Sequence, residues 1–194
     1  MTNRLEIYNQ SNGHLGNSQL ISDPNENSPS AKSCEQHYAA ARKATLRLHN
    51  WKCAGTYRAP SLSTEENLSH WNYMYDYPND CLKIRKVSLK GHKEGLLYDT
   101  GTVNGQRVIY CNEPGVIVHY TFDQKNEAQF DPLFTDTLSI ELAIRRCKAT
   151  TGKTTLKDKL ESERDKILTD ARSADLDEEQ PEDDREASWI EARN

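Results

Sequence analysis

Asp99 lies in LLYDTGTV, residues 96–103, where a hydrophobic pair precedes Asp-Thr-Gly. Aspartic proteases present a catalytic carboxylate in this form, and a dimer of single-motif subunits would bring two such aspartates together to share one proton. The neighbouring residues oppose that chemistry. Asn104-Gly105 follows at once, a dipeptide that favours a type I′ hairpin turn, and no later apolar-apolar-Gly segment closes a fold around the aspartate. The competing account is that Asp99 and Gly101 shape the end of a strand. A hydrolase using Asp99 remains the alternative, and it requires a pH-dependent activity that Asp99→Asn abolishes.

Two further motifs carry possible chemistry. In CKATTGKTT, Gly152-Lys153-Thr154 has the form of the end of a phosphate-binding loop. Such a loop needs a glycine five residues upstream so that the backbone can curl around phosphates, and Cys147 stands there, inside a helical pattern. A helix stop at Gly152 followed by a new start explains the same residues. The second motif is HWNYMYDY, in which Trp71, Tyr73, Tyr75 and Tyr77 alternate along an extended stretch. Stacking of bases would call for interleaved basic residues, which are missing; packing on the helices or on a neighbouring subunit is the expectation. The histidines are isolated. Cys34, Cys53, Cys81, Cys111 and Cys147 are odd in number and widely spaced, which predicts buried thiols in a reducing compartment rather than a zinc site. No catalytic residue, metal or cofactor is predicted.

These residues sit in a chain of 194, enough for one domain with an appendage or two small units sharing a core. Hydrophobic residues make up 35% and charged ones 28%, with a mean hydropathy of -0.89, so some surface is expected to be completed by a partner. Residues 175–194 hold nine acidic side chains against two arginines, although the whole chain is only -5. The remainder is therefore close to neutral, a poor balance for gripping phosphates. Apolar runs such as GVIVHY are too short to cross a bilayer, and MTNRLEIYNQ has no signal-peptide core. No membrane association is expected.

Periodicity supplies the elements that must position the motifs. Leu5, Tyr8 and Leu15 share a helical face that stops at Gly16, and Cys34, Tyr38, Ala41, Thr45 and Leu48 mark a second helix from about Ser30 to His49. Ser33 with Gln36 could form its capping box. From Trp51 to about Phe122 the period becomes two, with turns at Asn104-Gly105 and Glu113-Pro114-Gly115, predicting a small antiparallel sheet. Asp131-Pro132 opens a third helix whose apolar surface is wide enough for burial on more than one side. Thr155 with Asp158 restarts the chain into a fourth helix along Leu156, Leu160, Ile167 and Ala171. The predicted class is α+β, mainly α: a bundle of about four helices (residues 1–50 and 130–174), a β insertion (51–129) and an acidic C-terminal docking arm (175–194).

Five segments in order, YNQSNGHLG, ATLRLHNWKCA, HWNYMYDYPNDCLKI, FDPLFTDTLSIELA, and DARSAD with its acidic stretch and SWIEAR, together resemble the head-to-tail adaptor family of short-tailed bacteriophages, also called tail tubular protein A. The likeness spans nearly the whole chain, while the N-terminal loop and KGHKEGLLYDTG align poorly. It implies a structural protein of the virion, assembled in the host cytoplasm as a homo-oligomeric ring of about twelve copies. Such a ring joins the portal protein to the tail nozzle protein and continues the channel through which double-stranded DNA passes without specific binding. The helices would face the portal, the sheet domain the tail, and the C-terminal arm would reach onto the portal through Asp184, Arg185, Trp189, Ile190 and Arg193.

The composition of the C-terminal stretch agrees with a docking role. DLDEEQPEDDRE cannot bury enough apolar surface to offset its conformational entropy, so it is expected to stay unfolded in the free subunit. Twenty extended residues reach at most about 66 to 72 Å. Trp189 and Ile190 near the far end offer an apolar plug for a partner's pocket, with the carboxylates setting register and encounter rate. The alternative is a solubilising tail whose Trp189 folds back on the fourth helix.

Overall fold

The computed structural model of the protein describes residues 2–152 and 154–178. Four helices, α1 (Arg4–His14), α2 (Pro29–Leu48), α3 (Pro132–Thr151) and α4 (Thr154–Glu178), flank six strands between α2 and α3. These are β1 (Gly55–Arg58), β2 (Tyr73–Asp76), β3 (Cys81–Leu89), β4 (Tyr98–Val103), β5 (Gln106–Cys111) and β6 (Val116–Phe122). The mainly helical α+β class is as the periodicities predict.

Local chemistry sets the helix ends. Asn3 caps α1 by accepting from the Glu6 N–H at 2.8 Å. Asp131 accepts from the N–H groups of Leu133 (2.8 Å) and Phe134 (3.3 Å), with Pro132 in the first turn where a missing donor costs nothing. The start of α2 differs from expectation in its cap. Ser28 does the capping, accepting from Ala31 at 3.1 Å ahead of Pro29, whereas Ser33 lies inside the helix and meets Arg146. The Ser-Pro pair wins because it offers both an acceptor and a preset φ one turn earlier. Gly152, at φ 66, ends α3 by donating to the Lys148 carbonyl at 3.2 Å, the left-handed C-cap that glycine enters at least cost. Helix α4 continues through Asp175–Glu178, four residues that the sequence assigns to the arm. Residues 175–178 contain neither proline nor glycine, so nothing in them stops the helical pattern that reaches Ala174.

Helix α3 is the axis of the body. It packs against α1, α2 and α4, and nearly every side chain from Phe134 to Cys147 is buried, which is what a wide apolar surface requires. Tyr8, Tyr38, Leu46, Phe134 and Leu138 belong to its main core together with Trp51. The Trp51 ring stands edge-on to Phe134 at 5.2 Å, and its N–H donates to the Thr45 carbonyl at 2.8 Å. Trp51 therefore anchors the first residues of the insertion inside the helical core.

The insertion holds two sheets where one was expected. Each is three-stranded and antiparallel, with orders β1-β6-β3 and β2-β5-β4. Their inner faces meet over a core that includes Val87, Val118 and Tyr120 from the first and Tyr75, Ile109 and Cys111 from the second. Strands alternating apolar and polar bury one face only, and a second sheet is the means of covering it. The β4–β5 hairpin turns at Asn104 (φ 49) and Gly105 (φ 81), both left-handed as a type I′ turn requires.

Candidate interaction surface

The residues with possible chemistry are dispersed. Asp99 is exposed on β4, and its Oδ1 accepts from the Thr100 N–H at 2.7 Å. Tyr110 of the facing strand lies over Gly101, where a Cβ would come within 2.8 Å of the ring. Gly101 thus admits Tyr110. Gly152 acts as a helix stop, and Lys153 lies outside the described residues. None of the five cysteines is in a disulfide. Burial raises the Cys34 thiol to about 11 and also pushes up Cys53 and Cys81, which suppresses the nucleophilic thiolate. Among the described residues no group of three His, Cys, Asp or Glu side chains could hold a metal ion, and no helix is long and apolar enough to cross a membrane.

The aromatic alternation has a different use from that expected. Tyr75 and Tyr77 are 2% and 8% exposed inside the inter-sheet core, with Tyr73 packed against it. Tyr75 also donates to the Glu113 carbonyl at 3.0 Å and accepts from Gly115 at 3.1 Å, closing the β5–β6 turn. Tyr77 is covered by the Arg107 guanidinium, 3.5 Å from its centroid. These two are thus unavailable to a neighbouring subunit or a tail protein, because the insertion's second sheet consumes the apolar face they present. Trp71 is half-buried beside His70. Asp184, Arg185, Trp189, Ile190 and Arg193 lie outside the described residues.

Periodicity gives no hint of the ionic joints between body and insertion. After β6, Asp123 accepts from Arg42 at 2.9 Å and Glu127 accepts from Arg4 at 3.1 Å and from the Tyr38 hydroxyl at 3.0 Å. Burial tends to raise the Glu127 pKa, but a backbone hydrogen bond, Arg4 and Tyr38 outweigh it and hold the carboxyl below its ordinary value. Arg146, 1% exposed, is caged by Ser11 (3.0 Å), Asn12 (2.8 Å), Ser30 (3.1 Å) and Ser33 (3.2 Å), which ties α3 to α1 and α2 through neutral acceptors.

The most distinctive exposed surface is the outer face of the β1-β6-β3 sheet. Tyr57, 68% exposed, stacks on His119 at 4.2 Å and 9°, and Lys86 pairs with His119 from the other side. Arg85 lies over Gly55 and donates to Thr121 at 2.9 Å and to the Trp51 carbonyl at 2.6 Å. Lys83 donates to Asn50 at 3.1 Å, and Arg47, from the last turn of α2, donates to the Leu82 carbonyl. The signal was present in CLKIRKVSL, whose outward positions are basic, but only the register places them with Tyr57 and His119. Exposed apolar side chains mark the other sheet: Leu62 and Leu68 near β2, and Leu97 and Tyr98 at the start of the edge strand β4. No protein-family model matches the chain, and no curated protein matches it.

Proposed function

We propose that the protein is a structural head-to-tail connector of a phage virion, a ring subunit that joins the portal to the tail nozzle and continues the DNA channel. One observation carries this. Segments that resemble the adaptor family are far apart in sequence, yet Tyr8, Leu46, Trp51, Phe130 and Phe134 from three of them share one core. The resemblance therefore falls on residues that build a common framework. Two differently placed apolar edges on the second sheet, at Leu62 with Leu68 and at Leu97 with Tyr98, suit head-to-tail contacts between identical subunits, which need two distinct surfaces. Residues 179–194, with Trp189 and Ile190 near their end, are the portal-docking arm of this connector, and Asp184, Arg185 and Arg193 contribute polar contacts to it.

The test is negative-stain imaging of the protein mixed with the purified portal of its phage. Added rings on the portal are expected. Deleting residues 179–194 should abolish attachment while leaving the body folded, and Trp189→Ala should weaken it by about thirtyfold, as for a hot spot of about 2 kcal/mol. Unchanged attachment of the truncated chain would refute the docking role. A pH-dependent hydrolase activity lost in Asp99→Asn would replace the connector with an enzyme.

A further inference from the structure

We infer that the outer face of the β1-β6-β3 sheet is a docking surface for the chain's own acidic residues 179–194, which it holds until a partner takes them. This goes beyond the connector role and does not depend on it. The face concentrates positive charge, and three of its cations meet only neutral oxygens among the described residues. Arg47, Lys83 and Lys86 donate to neutral oxygens of Leu82, Asn50 and Lys93. Lys83 feels burial, Arg85 and Arg47, and His119 feels burial, Arg85 and Lys86, all of which lower their pKa values. Like charges crowded on one sheet face repel, and an anionic occupant relieves that cost.

The occupant follows from charge, position and reach. Residues 179–194 contain Glu179, Glu182, Asp183, Asp184, Glu186 and Glu191 against Arg185 and Arg193. Ala171 and Ala174 of α4 border a cleft with His49, Trp51 and Lys52, and the Trp51 carbonyl accepts from Arg85. The part of α4 that precedes these residues therefore borders the segment, residues 49–52, that carries an acceptor for Arg85. Lys83 and Lys86 are about 10 Å apart along the strand, while sixteen extended residues reach at most about 53 to 58 Å. A tether that short supplies an effective concentration in the millimolar range, so weak surface pairs suffice. Tyr57 is the exposed aromatic of the face and Trp189 the aromatic of the segment, which adds an apolar contact to the charge match. Nucleic-acid phosphates would meet the same cations, but they lack the tether.

The experiment uses the full-length chain. Asp183→Asn, Asp184→Asn and Glu186→Gln are combined in one variant and its NMR spectrum compared with wild type. Shift changes are expected at Tyr57, Lys83, Lys86 and His119, and high salt should move the wild-type signals the same way. A second variant, Lys83→Glu with Lys86→Glu, should alter the signals of residues 179–194. Neutralising the segment should also strengthen binding of a short single-stranded oligonucleotide by about tenfold or more, since a covered basic face becomes available. Unmoved signals at those four positions would overturn the inference. So would equal oligonucleotide binding by wild type and variant, which would make nucleic acid the occupant, or shifts that disappear on dilution, which would assign the contact to a second copy. Portal attachment enters none of these readouts.

Discussion

Replacing Asp123 by alanine tests the joint between helices and sheets. Its Oδ1 accepts from Arg42 Nη2 at 2.9 Å and Nε at 3.3 Å, and the two side chains are only 13% and 7% exposed. Charge centres about 4 Å apart attract by about 4 kcal/mol at an effective dielectric constant of about 20. Desolvating the two ions costs a comparable amount, so the intact pair contributes little net stability. Removing one partner ends that cancellation. Arg42 would remain buried, with its guanidinium 5.8 Å from the centre of the Tyr38 ring. The expected cost is about 3 to 5 kcal/mol, which for a chain of this size lowers Tm by about 6 to 20 °C. Arg42→Met combined with Asp123→Leu removes both charges and is expected within about 1 kcal/mol of wild type. Urea denaturation followed by circular dichroism reads all three variants, with an unchanged m-value as the check on two-state behaviour. A cost under about 1 kcal/mol for Asp123→Ala, or a double variant as unstable as the sum of the singles, would refute the reasoning by showing that water already reaches the pair.

Phe134→Ala removes a fully buried ring that packs edge-on with both Trp51 and Phe130, and should cost about 3 to 5 kcal/mol in the same assay, whereas Leu20→Ala, at a side chain 75% exposed, should change stability by less than about 0.5 kcal/mol. Glu127 gives a pH signature, because its folded pKa lies below the ordinary value of 4.5. Its stabilisation is present above that value and is lost as pH falls through the folded pKa. Urea midpoints measured down through this range should fall for wild type, and Glu127→Gln should flatten part of that fall.

What was legible in the sequence was local. The Asp131-Pro132 start, the Gly152 stop and the Asn104-Gly105 turn each depend on a few adjacent residues, and each has the dihedrals and hydrogen bonds those residues call for. Tyr73, Tyr75 and Tyr77 were correctly placed on one side of an extended chain, but what that side faces depends on a second sheet. Alternation says that a face is apolar without naming what covers it. The same limit hid Arg146, which reads as one more charge on α3 until Ser11, Asn12, Ser30 and Ser33 converge on it from two other helices. Asp184, Arg185, Trp189, Ile190 and Arg193, expected from the sequence to dock on a portal, lie outside the described residues.

Net charge was the least faithful guide, and the reason is physical. A near-neutral sum over the body describes its field only at distances beyond the spacing of its charges, roughly a Debye length of about 8 Å at physiological salt. Within that distance, the partner of a sheet face meets the local arrangement: Arg47, Lys83, Arg85 and Lys86 on one side, with Asp123 and Glu127 drawn inward by Arg42 and Arg4. Asp123 and Glu127 are thus engaged at internal joints, while Arg47, Lys83 and Lys86 meet only neutral oxygens. An acidic segment held on that face and also required by a portal cannot satisfy both at once. Each binding event then weakens the other by the same factor, so portal attachment would uncover the basic face, and a ligand of that face would release the segment for the portal.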